Sequence, residues 1–166
     1  MSWAGDRAIG WITQTKQGAL ALKISIMRTL EFDAAHRVMH HESKCANMHG
    51  HRYKVEIHAR ADALDPLGRV IDFSAIKARV GGWIDTHWDH TTILNENDPS
   101  VRAWQDDLIP ANKPIYLMPE NPTAENMAKY LLDRCKDELM LGTSIEVWKV
   151  VVWETPNCKA EAELPS

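Results

Sequence analysis

The stretch from His49 to Ala61, HGHRYKVEIHARA, sets the tightest limit on how this chain folds. Tyr53, Val55, Ile57, Ala59 and Ala61 take the odd positions, and Arg52, Lys54, Glu56, His58 and Arg60 the even ones. Successive side chains on a strand point to opposite faces, so the pattern predicts a half-buried strand with one apolar side. His49 and His51 are in phase with that side, which puts two imidazoles at the end of a face meant for the core. A similar alternation precedes it in ISIMRTLEFDAAH: Ile24, Ile26, Leu30, Phe32 and Ala34 share a face, Arg28 interrupts it and His36 ends it.

The remaining elements follow from spacing and punctuation. After the turn-like DALDPLG, Phe73, Ile76, Val80, Trp83, Ile84 and Trp88 recur at helical intervals, although Gly81 and Gly82 weaken the pattern. From Thr91 to Asn121 the chain is rich in Asn, Asp and Pro, which predicts a mostly irregular surface excursion with a short helix near Val101 to Leu108. A second helix starts at PTAENMAKYLLDRCKDELM, with Thr123 as N-cap, Glu125 at the positive end of the helix dipole and Gly142 as its stop. SIEVWKVVVWET reads as a strand whose Trp148, Val150 and Val152 share a face with Glu154, and CKAEAEL as a short edge strand. Strand, strand, helix, helix, strand is an α+β order with an antiparallel sheet.

Bulk properties narrow the function. A chain of 166 residues fits one domain. The formal net charge of −4 argues against a general nucleic-acid or membrane-surface binder, though it allows a local basic pocket. Cys45, Cys135 and Cys158 are too scattered for a disulfide framework and point to a reducing compartment. The N-terminal stretch carries charges throughout, unlike a signal peptide, and no run nears the roughly 18 apolar residues of a membrane span. A cytoplasmic, soluble protein is expected.

His36, His49 and His51 form the candidate metal centre. Each would need a partner at the end of a buried face, since an unpaired buried polar group costs about 1–3 kcal/mol. One zinc ion satisfies all three nitrogens, and three histidines with an open fourth position describe a catalytic site. His40 and His41 stand nearby as substitutes for His36; His58 and His87 are given no role. Cys45 is open between two readings: a fourth ligand that closes the site, or a thiol acidified by a nearby cation and usable as a base. Asp89 and His90 read either as a helix terminus favoured by the dipole or as a pair that readies an imidazole for proton transfer. Glu154 needs a cationic or bidentate donor if its face is buried, and is merely solvated if it lies at the sheet rim. Cys135 reads as a small core residue.

With these residues in place, the chain closely resembles the family of 6-pyruvoyltetrahydropterin and 6-carboxytetrahydropterin synthases. The resemblance is carried by FDAAH (32–36), CANMHGHRY (45–53), VIDFSAIK (70–77), WDHTTILN (88–95), NPTAENMAKYL (121–131) and VVVWET (150–155), in family order. It implies the tunnelling fold: a four-stranded antiparallel sheet with two helices on one face, closed into a barrel by oligomerisation as a homohexamer, a dimer of trimers with active sites between subunits. It also implies that His36, His49 and His51 ligate zinc, Cys45 is the base, His90 the relay histidine beside Asp89, and Glu154 the carboxylate that grips the pterin. Thr123 and Glu125 match the segment lining the pterin pocket.

The three-residue gap ANM between Cys45 and HGH resembles the carboxytetrahydropterin branch. The implied reaction converts 7,8-dihydroneopterin triphosphate to 6-carboxy-5,6,7,8-tetrahydropterin, releasing acetaldehyde and triphosphate, on the route to queuosine and other 7-deazapurines. A pyruvoyl-type elimination and a non-catalytic zinc-binding module are the competing readings. Arg37, Lys44, Arg52 and Lys54 are unranked candidates for the triphosphate. Departures from the family are an N-terminal extension (1–22) ahead of the single domain (23–166), a loop one residue longer at WDHTTILN, an insertion at about 99–119, and the tail PNCKAEAEL.

Overall fold

A computed structural model describes residues 24–102 and 114–165 of the chain. The predicted N-terminal extension, and most of the helix expected near Val101, lie outside these residues. The sheet is built from β1 (Ser25–His36), β2 (His49–Arg60), β3 (Thr91–Asn95), β4 (Ile115–Met118), β5 (Glu146–Thr155) and β6 (Cys158–Glu163). Their order across it is β4-β3-β1-β2-β5-β6. Helix α1 covers 73–87 and helix α2 covers 124–139, each containing a stretch of π-helix, Lys77–Gly81 in the first and Cys135–Leu139 in the second.

The expected alternation organises the centre of this sheet. β1 and β2 pair antiparallel, with Phe32 opposite Tyr53, Ala34 opposite His51 and His36 opposite His49. β2 in turn pairs with β5, setting Val55 against Val152 and Ile57 against Val150. Leu30, Phe32, Tyr53, Val55, Ile57, Val150 and Val152 are all buried on one face in a single core with residues of both helices. The α+β class is therefore as the sequence predicts.

Two details of the sheet differ from the expectation. β1, β2, β5 and β6 are the antiparallel strands, but β3 and β4 extend the sheet to six, and they run parallel to β1 and to each other. The segment read as an irregular excursion thus begins and ends in strands; Thr91, Thr92 and Ile93 suit a pleated surface, and pairing with the distant end of β1 overrides the loop-like composition around them. Trp148 also leaves the face predicted for it. A register irregularity at His58 and Ala59 puts Val147 opposite Ala59, and Trp148 turns its ring to the edge of His58, 5.8 Å between centroids, under the Arg60 guanidinium.

Both helices start where a side chain caps them. The Asp72 carboxylate accepts from the Ser74 N–H at 2.8 Å, and the Thr123 hydroxyl accepts from the Asn126 N–H at 3.3 Å. α1 buries Ile76, Val80, Trp83 and Ile84, and the first of its two glycines is explained by proximity. A Cβ on Gly81 would stand 3.3 Å from a Leu30 methyl, so the missing side chain lets α1 settle onto β1. α2 buries Met127, Ala128, Leu131, Leu132 and Cys135, and the chain leaves it through Gly142 at φ +76°. Among the described residues no helix is long and apolar enough to cross a membrane.

Leu131 is wholly buried and Leu67 is 75% exposed, so the same truncation separates packing from chemistry. Leu131→Ala is expected to cost about 2–5 kcal/mol and Leu67→Ala less than about 0.5 kcal/mol. Urea unfolding checks this, the midpoint moving at unchanged slope.

Candidate active site

At the joined ends of β1 and β2 three imidazoles meet. Their nearest nitrogens lie within 4.8 Å of one another, and Cys45 is not a member of the cluster. The ring tautomers follow from what the other nitrogens do. His36 Nδ1 donates to the Pro122 carbonyl at 2.8 Å, and His49 Nδ1 donates to the Asn47 carbonyl at 2.8 Å. Each ring therefore presents an Nε2 lone pair, and these two lone pairs face each other across 3.1 Å. His51 Nε2 is buried without a hydrogen-bond partner.

The facing lone pairs of His36 and His49, with the buried and unpartnered His51 Nε2 beside them, make the donor set of a cation site. Two ligands each about 2.0–2.1 Å from one tetrahedral zinc would be separated by about 3.3 Å, close to the His36–His49 spacing. Carbonyl-bound Nδ1 atoms are the usual outer partners that orient such ligands. Burial, the largest influence, lowers the pKa of both His36 and His51, which favours the neutral, ligating form. Gly50, between the two ligands of β2, lies close to β1: a Cβ there would meet the Ala34 carbonyl oxygen at 3.1 Å.

Glu154 reaches the triad from β5. Its Oε1 is 3.5 Å from His36 Nε2 and 4.0 Å from His51 Nε2, so the carboxylate is neither purely solvated nor held by a bidentate donor. Beneath the rings Tyr53 is fully buried, stacked on Phe32 at 4.9 Å, and its hydroxyl has no partner. Burial, with the Glu154 and Cys45 charges, pushes that phenol far up, so it stays a protonated donor.

Outside the triad, a cleft of about 200 Å³ is lined by Cys45, Thr123, Glu125, Glu154, Cys158 and Lys159, among others. Cys45 sits in a short 3₁₀ turn, Lys44–Ala46, just before β2. Thr123 and Glu125 arrive at the N-terminus of α2. The cleft therefore gathers the thiol, both pocket-lining residues and the carboxylate that the sequence singled out, beside the imidazoles. Cys158 and Lys159 were missed, because alternating small and charged residues on an edge strand read as solvated.

Asp89 and His90 do not join this group. His90 lines a different and wider cleft, of about 580 Å³, with Asp33, His51 and Arg52. The pair is well built where it stands. Asp89 Oδ1 accepts from the Asp33 N–H at 2.9 Å, and its Oδ2 accepts from His90 Nδ1 at 2.8 Å. Burial tends to raise the Asp89 pKa, but these hydrogen bonds and the nearby imidazole outweigh it, and the carboxyl is held below its ordinary value. His90, at φ +56° and 77% exposed, turns its other nitrogen to solvent.

The other polar residues are occupied. His41 Nδ1 accepts from the Ser43 N–H at 2.9 Å, and His87 stacks on Trp83 at 4.7 Å. Arg52 pairs with Glu31 at 2.8 Å and Asp33 at 3.6 Å, and Lys54 lies over the Trp153 ring and 3.3 Å from Glu56. Arg37 Nε is 3.1 Å from the buried Asp98 carboxylate, a contact made by charge and not by an aligned hydrogen bond. Lys44 is exposed beside Cys45 and does not line the cleft.

Comparison with known proteins gives the family of the chain. Residues 25–165 match the family model described as 6-pyruvoyl tetrahydropterin synthase. A protein of Rickettsia felis named 6-carboxy-5,6,7,8-tetrahydropterin synthase is 41% identical over 138 residues, covering 83% of this chain and 99% of that protein. One of the same name from Aquifex aeolicus is 34% identical, covering 84% and 98%. Among solved structures, an uncharacterized protein of Wolinella succinogenes superposes with a TM-score of 0.76 at 22% identity, covering 86% of this chain and 99% of that one. The 6-pyruvoyl tetrahydropterin synthase of Plasmodium vivax superposes with a TM-score of 0.66 at 22% identity, covering 85% and 97%. The two structures share the fold, and the family match with the closer relatives carries the assignment: this chain belongs to the 6-pyruvoyl tetrahydropterin synthase family.

Proposed function

We propose that this protein is a zinc-dependent carbon-carbon lyase. It takes 7,8-dihydroneopterin triphosphate and one water to 6-carboxy-5,6,7,8-tetrahydropterin, acetaldehyde and triphosphate, as a step toward queuosine and related 7-deazapurines. The observation that carries the proposal is the convergence of three imidazole nitrogens beside a cleft bearing two thiols, Cys45 and Cys158, and two carboxylates. Relatives that are 34–41% identical are named for the carboxy product, which favours it over the pyruvoyl-type elimination. Unpaired thiols suit a reducing compartment, and we place the enzyme in the cytoplasm.

His36, His49 and His51 would hold the zinc, which supplies Lewis-acid stabilisation of negative charge on the substrate side chain. Cys45, outside the ligand cluster yet lining the same cleft, takes a proton from the side-chain carbon. Glu154 and Glu125 are the carboxylates available to the guanidine-like edge of the pterin. Glu154, at the inner end by His36, grips and orients the ring, and Thr123 and Glu125 line its outer side. His90, fixed by Asp89, moves a second proton with its exposed nitrogen.

Cys45 and His90 line separate clefts of one chain, and in this reading the His90 that serves a given Cys45 comes from a neighbouring copy. This supports a homohexamer, a dimer of trimers whose sheets close into barrels, with active sites at the subunit interfaces. The domain spans 23–166 in this reading, with 1–22 as an extension and about 99–119 as an insertion.

Three outcomes test the proposal. Zinc-loaded protein given 7,8-dihydroneopterin triphosphate should yield acetaldehyde and the carboxylated pterin by mass spectrometry; triphosphate release without acetaldehyde would make it the pyruvoyl type. Cys45→Ala should lose at least about 100-fold in kcat while binding zinc stoichiometrically, whereas His49→Ala should lose the metal; loss of zinc with the thiol would make Cys45 a ligand. Finally, inactive Cys45→Ala and His90→Ala chains, unfolded together and refolded as a mixture, should regain part of the activity. No recovery, in oligomers shown to be mixed, would rule out a shared site.

A further inference from the structure

The cleft beside the imidazoles holds two thiols, and the proposed mechanism uses one of them. Cys45 is half-buried and Cys158 exposed, while the third cysteine, Cys135, is sealed in the core under α2, where burial pushes its thiol up to about 12. Cys45 and Cys158 both line the cleft of about 200 Å³ that also holds Glu154. The sheet register explains how an edge strand delivers a thiol there. Trp153 pairs with Lys159 and Thr155 with Cys158, and an irregularity between them leaves Glu154 without a partner of its own. Lys159 sends its ammonium over the Trp153 ring, on the charged face of the sheet, so Cys158, its neighbour along the strand, faces the other way, to the side of Glu154. From the opposite wall, Cys45 comes near enough to the Tyr53 hydroxyl for its charge to act there together with that of Glu154.

We propose that Cys45 and Cys158 form an oxidisable dithiol, in which Cys45 takes an oxygen from hydrogen peroxide and Cys158 resolves it to a disulfide that closes the cleft. A cysteine that works as a base does so as a thiolate, and the thiolate is also the form that attacks peroxides. The Cys45 sulfur bonds to one peroxide oxygen, the O–O bond breaks, and the other oxygen leaves as water once protonated; the sulfur gives up two electrons and becomes a sulfenic acid. The Cys158 sulfur then attacks the oxidised one. The S–S bond forms, the S–O bond breaks, and the departing oxygen takes the Cys158 proton and leaves as water. A dithiol reductant restores both thiols by exchange. The two segments can approach without disturbing the core. Cys45 sits in a three-residue turn that buries no residue and is tied back through its carbonyl, which accepts from the Val38 N–H at 2.8 Å. Cys158 is the first residue of β6, directly after the turn at Pro156 and Asn157. A disulfide needs Cα atoms about 4.4–6.8 Å apart, and these surface segments are the ones that shift to reach it. The bond removes the base and spans the cleft in front of Glu154, so turnover stops while Cys45 is spared the irreversible sulfinic acid.

The effect on turnover rests on the lyase reading; the bond itself does not. Zinc-loaded wild type and Cys158→Ser are treated with stoichiometric hydrogen peroxide, digested without reduction and mapped by mass spectrometry, and turnover is followed before oxidation, after it and after dithiothreitol. Wild type should give a linked Cys45–Cys158 peptide from chains that run as monomers on a non-reducing denaturing gel, with Cys135 unmodified, and should regain most of its starting rate with dithiothreitol. Cys158→Ser should carry Cys45 on to sulfinic acid and regain at least about fivefold less of its own starting rate. A wild-type Cys45 that is oxidised yet unlinked or stays reduced, a link between chains, or equal recovery in the two proteins overturns the proposal. If wild type makes no acetaldehyde before oxidation, the lyase reading fails while the peptide map still decides the dithiol.

Discussion

The pairing of His36 with His49 across β1 and β2 is the contact on which the rest of the site depends. Two neutral imidazoles, each with its Nδ1 proton given to a backbone carbonyl, are left with lone pairs facing at 3.1 Å. By itself that arrangement is repulsive. The strand ladder fixes the Cα positions and the carbonyls fix the tautomers, so the facing lone pairs make an electrostatic demand that a cation answers. His51 adds a third nitrogen with nothing else to bind.

The demand also ties the site to the fold at large. The carbonyl that fixes His36 belongs to Pro122, just before the N-cap of α2. Asn121 reinforces the same junction. Its side chain accepts from the Met39 N–H at 3.0 Å and donates to the Met39 carbonyl at 2.9 Å. The segment after β1 and the start of α2 are therefore clasped together, and that clasp sets the distance between the imidazoles and Glu125. Ligand geometry and pocket shape are one mechanical unit.

How much of this could be read from residues alone depends on the range of the interaction. The period-2 pattern of β2 placed His49 and His51 together because in-phase residues must share a face, whatever surrounds them. Thr123 announced a helix for an equally local reason. β3 and β4 were hidden because their pairing partner is remote in sequence and their flanks are full of Asn, Asp and Pro. The displacement of Trp148 was hidden because a periodic reading assumes an unbroken ladder, and one irregularity beside His58 shifts the phase. Asp89 and His90 were visible as a pair, but which cleft they would line is a property of the folded chain.

The contact between Arg37 and Asp98 ties the end of β1 to the turn after β3. The side chain of Asp98 is wholly buried, and Arg37 directly follows His36 at the end of β1. Removing either partner strands a charge, so the two positions are constrained to change together. The clamp joins the segment after β1 to the turn after β3, so the strand end that carries His36 is anchored from a second side, by a charge pair separate from the imidazoles' own hydrogen bonds.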